Sequence, residues 1–85
     1  MADKVTKEQI YEKLLNILSE DLSVDVEQIT PTLEIRDDLQ FDSLELYSFV
    51  IDVEDQYGIR ISDEQIDRVR TMNDLVDMVY EIVNK

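Results

Sequence analysis

The chain has 85 residues, 44% of them hydrophobic, with 21 acidic side chains against 8 basic ones, a formal net charge of -13, and neither Cys nor His. That length suits one core, so residues 1–85 are expected to form a single domain, and the hydrophobic share sets it apart from chains too charged to fold. The missing Cys and His exclude disulfide frameworks, thiol nucleophiles, the common zinc sites and the usual general base, and the charge would repel a nucleic-acid backbone.

One Gly and one Pro leave few tight turns, and Leu, Glu, Lys and Gln favour helix, so the fold class expected is all-α. The start of the chain lacks the pattern of a targeting peptide, and no apolar run approaches the roughly 18 residues that span a bilayer. A cytoplasmic monomer without membrane insertion is the expectation.

Thr6-Lys7-Glu8-Gln9 has the form of a capping box and opens a first helix. Ile10, Leu14, Ile17 and Leu18 share one face of it, widened by Tyr11 and Leu15, and the pattern runs to about Leu22. From Ser23 to Phe41 the periodicity is weak and Pro31 blocks a continuous helix. This reads as a long first loop, pinned by Val26, Ile29, Leu33, Ile35 and Leu39 tucking into the core, with a helical turn around Val26 to Ile29.

Asp42 opens a second helix, with Glu45 as its capping-box partner, and Gly58 ends it after Tyr57. Ser62-Asp63-Glu64-Gln65 repeats the box before a short segment ending near Val69, and Thr71 with Asp74 starts a last helix reaching about Val83. The expected architecture is a small four-helix bundle with three main helices and one short third helix.

The second helix carries two apolar stripes. At about 100° per residue, Leu46, Phe49, Val50, Val53 and Tyr57 fall on one face, the spacing of a core stripe. Leu44, Tyr47 and Ile51 form another, centred roughly 130° around the cylinder, which cannot face the same core. Asp42, Glu45, Asp52, Glu54 and Asp55 surround this second stripe, the pattern of an apolar contact line rimmed by negative charge. Between Glu20 and Tyr57 there are twelve acidic residues and one basic residue, Arg36. Such a surface repels itself and is more easily understood as steering a partner with a basic patch.

The acidic run Asp52 to Gly58 fails as an EF-hand loop, because Gly falls one position late and Asp63 stands where a bidentate Glu is needed. No metal site is assigned. Ser43, in the triplet Asp42-Ser43-Leu44, has no His to activate it, and the four lysines, at positions 4, 7, 13 and 85, are distant in sequence. No catalytic residue is assigned either, and as a plain helix-start serine Ser43 would be unexceptional.

The stretch DDLQFDSLELYSFVIDVEDQYGIRISDEQI resembles the acyl carrier proteins, whose second helix opens on an Asp-Ser-Leu triplet in a small acidic bundle. The likeness includes Asp38-Leu39 before the triplet, Tyr57 at the helix end, Ile61-Ser62-Asp63-Glu64 leading into the third helix, and Thr71 opening the fourth. It implies that Ser43 receives a 4′-phosphopantetheine arm from coenzyme A, whose thiol carries acyl groups as thioesters. A phosphopantetheinyl transferase and acyl-transferring or condensing enzymes with basic docking patches are the partners implied. Asp42, Leu44, Glu45, Tyr47, Ile51, Asp52 and Asp55 then match recognition positions, and Leu46, Phe49, Val50 and Val53 match the lining that shelters an acyl chain.

Three positions depart from the family pattern: Ser48 replaces a usual Glu, Tyr47 is larger than the usual aliphatic residue, and Gln40 replaces a common Gly. They leave a polyketide or other specialised pathway as open as fatty-acid synthesis. A peptidyl carrier is disfavoured, because Phe41-Asp42 stands where that relative has Gly-Gly. The alternative from another class is an acidic helical adaptor or nucleic-acid mimic without a covalent cofactor.

Overall fold

The computed structural model describes residues 5–84, which among themselves form helices and no β-strand. Helix α1 spans Lys7–Asp21, α2 Ile35–Leu39, α3 Ser43–Tyr57, α4 Asp63–Arg68 and α5 Met72–Val83, with a single 3-10 turn at Val26–Gln28.

The capping signals work as the sequence suggests at α1, α4 and α5. Thr6, Ser62 and Thr71 each accept the N–H three residues on, and Gln9, Gln65 and Asp74 return the bond to the cap backbone. Each box satisfies two of the N–H groups that a helix start leaves without partners. Helix α3 ends at Gly58, whose φ of 62° favours a residue without a Cβ penalty.

Helix α1 packs against α5 and α3. Ile10, Leu14, Ile17 and Leu18 of α1 meet Phe49, Val50 and Val53 of α3 and Leu75, Val76 and Val79 of α5 in one buried cluster. Tyr57, at the end of the core stripe, is half-buried.

The segment between α1 and α3 departs from the expected loop in two ways. Val26 is exposed, because the three-residue turn lies on the surface and only Ile29, beyond its end, reaches the core along with Leu33 and Ile35. Leu39 is half-buried. Residues 35–39 also coil into α2, too short to show a helical period in sequence, held by Ile35 in the core and by the Asp38 carboxylate accepting the Glu34 N–H at 2.9 Å.

Backbone bonds pin this segment to the junction of α4 and α5. The N–H groups of Ile35, Met72 and Asn73 donate to the carbonyls of Arg70, Leu33 and Pro31 at 2.9, 3.0 and 2.9 Å. Tyr11 Oη adds a bond to the Ile29 carbonyl at 3.3 Å. Together they fix the start of α2 beside the α4–α5 junction, from which the chain runs on to the start of α3.

Candidate functional site: the start of helix α3

Asp42 caps α3 from an extended backbone, its Oδ1 accepting the Glu45 N–H at 2.8 Å. The return bond from Glu45 that a full capping box requires is absent among the described residues. The Glu45 carboxylate is therefore left on the surface. Gln40, which closes α2, takes a left-handed conformation with φ 54° and ψ 38°. That turn brings Phe41 and Asp42 round to the mouth of α3.

Ser43 is the first residue of α3 and is exposed. It borders an open cleft of about 230 Å³ lined also by Arg36, Phe41, Asp42, Leu46, Tyr47, Ile66 and Asp67. Lys7 and Lys13 lie on α1, and Lys4 and Lys85 lie outside the described residues.

The two stripes of α3 separate in space. Leu44, Tyr47 and Ile51 are 80%, 44% and 53% exposed, whereas Leu46, Phe49, Val50 and Val53 are buried. Glu45 and Asp55 are exposed beside the outer stripe and Asp52 is half-buried. Among the described residues, none of Asp42, Glu45, Asp52 and Asp55 takes part in an ion pair. Glu54, counted with that rim in the sequence, turns instead to the chain ahead of α4, where its Oε2 accepts the Ile61 N–H at 2.6 Å. Asp52 to Tyr57 are helical, which excludes the EF-hand loop by geometry.

Of the four residues assigned to an acyl pocket, Leu46 faces both core and cleft, while Phe49, Val50 and Val53 lie behind it in the closed core. Arg36, Phe41, Ile66 and Asp67 line the cleft without having been singled out as site residues. Arg36 did leave a signal, as the one basic residue in the acidic stretch, whereas the other three lacked any local pattern.

An exposed hydroxyl on the first turn of a helix, beside an open cleft, has room for a bulky ester and fits a phosphodiester-linked arm. Residues 12–79 match the family described as the phosphopantetheine attachment site. The chain is 34% identical over 80 residues to an acyl carrier protein of Petrotoga mobilis, covering 94% of each chain. It is 37% identical over 73 residues to one of Coprothermobacter proteolyticus, covering 86% of this chain and 89% of that one. Among solved structures it resembles the acyl carrier protein of Thermotoga maritima, with a TM-score of 0.81, 29% identity, and 92% and 91% of the two chains covered. The acyl carrier protein of Enterococcus faecalis is similar at a TM-score of 0.76 and 33% identity, with 92% and 99% covered. The chain therefore belongs to the acyl carrier protein family, whose members carry acyl groups on a 4′-phosphopantetheine prosthetic group.

Proposed function

We propose that the chain works as one monomeric carrier domain in fatty-acid, polyketide or related acyl biosynthesis, with Ser43 as its attachment residue and no catalytic activity of its own. When bound, the prosthetic group supplies a terminal thiol on which acyl groups ride as thioesters. The observation that carries the reading is the exposed Ser43 at the start of α3, next to the exposed stripe of Leu44, Tyr47 and Ile51.

The protein's own share of the chemistry is small. Ser43 offers a hydroxyl, and this chain has no His from which that hydroxyl could obtain general-base help. Activation must then come from the modifying enzyme. The free N–H groups and dipole of α3 favour an anion on Ser43 by about 0.3–1 kcal/mol, with Asp42 opposing this by its own charge. Leu44, Tyr47 and Ile51 supply apolar contact, and Asp42, Glu45, Asp52 and Asp55 attract enzymes with basic docking patches. The acidic adaptor without a cofactor is not favoured, because the matched family is defined by attachment of the arm.

Intact mass after incubation with coenzyme A and a phosphopantetheinyl transferase tests the assignment. Wild type should gain one phosphopantetheine and Ser43→Ala none. An unmodified wild type, under conditions that modify a control carrier, would overturn it.

A further inference from the structure

Arg36 is the one basic residue between Glu20 and Tyr57, among twelve acidic ones. The fold carries it on α2 to the rim of the cleft that Ser43 borders, and among the described residues it is the only cation lining that cleft. Its partner there is Asp67 of α4, at 3.5 Å, a long pair whose side chains are 49% and 78% exposed. A stretched pair in solvent contributes little, so Asp67 holds Arg36 weakly.

Arg36 also has room to move. It and Asp67 stand between the Ser43 cleft and a second one of about 270 Å³, lined further by Glu34, Asp37, Val69 and Arg70. The guanidinium therefore has open space on either side and can change rotamer without meeting packed core.

A phosphodiester on Ser43 would be a permanent anion set beside Asp42, near the exposed Glu45. Charge-assisted bonds from a guanidinium to phosphate are short and directional, and stronger than the long contact Arg36 now makes. We propose that Arg36 is a positioning residue for the prosthetic arm: it exchanges Asp67 for the phosphodiester on Ser43 and draws the root of the arm against the cleft wall of Phe41 and Ile66. Asp67 is the competitor that holds Arg36 back. The proposal rests on Ser43 being the attachment point.

The test uses wild type, Arg36→Gln and Asp67→Asn, each loaded by the transferase and checked by intact mass and thermal unfolding. Phosphorus NMR then reads the transverse relaxation rate of the phosphodiester at low salt. Arg36→Gln should lower the rate by roughly 1.4-fold, the ratio of rigid to flexible order parameters, and Asp67→Asn should raise it. The opposed signs are diagnostic, since both substitutions break the same ion pair. Changes in the same direction would make the pair a strut between α2 and α4 and overturn the proposal. No change in either variant would overturn it too. Failure of wild type to load would appear in the mass first and would overturn the attachment reading together with this one.

Discussion

The carboxyl of Asp52 on α3 sits against that of Asp21, the last residue of α1. The hydrogen-bonding opportunity that the Asp21 carboxyl offers the protonated form, then burial, then the charges of Asp21 and Asp55 push the Asp52 pKa above its ordinary 3.8. The folded state thus binds this proton more tightly than the unfolded one. The resulting penalty is absent below pH 3.8, grows as pH rises through the raised value, and is fully present above it. Asp52→Asn keeps a hydrogen-bond donor and removes the charge, so its Tm should exceed that of wild type at neutral pH, with the difference shrinking as the pH is lowered toward 4. Thermal unfolding across a pH series checks this, and equal Tm values at neutral pH would show that the carboxyl pair carries no repulsion.

Asp42 caps α3, and the proposed function gives it a second, separable role in recognition. Asp42→Ala removes the acceptor for the Glu45 N–H and should cost about 0.5–2 kcal/mol of stability, whereas Asp42→Asn keeps an acceptor and should stay near wild type. Both lose the charge, so both should be modified more slowly by the transferase. If Asp42→Asn loads at the wild-type rate, the residue matters only as a cap.

Substitutions on the outer stripe should separate docking from folding. Tyr47→Ala, Leu44→Ala and Glu45→Lys change exposed positions and should each shift stability by no more than about 0.5 kcal/mol. Transferase rates should nevertheless drop in all three, and the wild-type rate should decline as salt rises. Denaturant titration and loading kinetics at two ionic strengths measure both. Large stability losses with salt-independent rates would make the stripe structural.

Phe49, on the same helix as Tyr47 but fully buried, should behave in the opposite way. Phe49→Ala should cost about 3–5 kcal/mol, combining lost transfer energy with a cavity among the helices. A loss below about 1 kcal/mol in denaturant titration would show that the core collapses around the gap.

Gln40 stands in the left-handed region without being glycine. That conformation brings Cβ against the backbone, so Gln40→Gly should stabilise the fold by about 1 kcal/mol or less, the gain being reduced by the greater freedom of glycine in the unfolded chain. A rise in Tm is the expected reading, and a fall would mean that the side chain holds the turn.

The sequence by itself determined the features that depend on neighbours within a turn or two. The caps at Thr6, Asp42, Ser62 and Thr71 were legible because donor and acceptor lie three residues apart, and the two stripes of α3 because helical periodicity belongs to the chain. The stop at Gly58 was visible for the same reason. Tertiary structure decided the rest. Five residues are too few to announce α2, and the bonds from residues 31–35 to 70–73 that hold it join segments with no shared local pattern. The surface position of Val26, the meeting of Asp21 with Asp52, and the placing of Arg36 and Asp67 beside Ser43 likewise depend on how helices pack. Packing brings together residues far apart in the chain, and no short-range signal records which of them will meet.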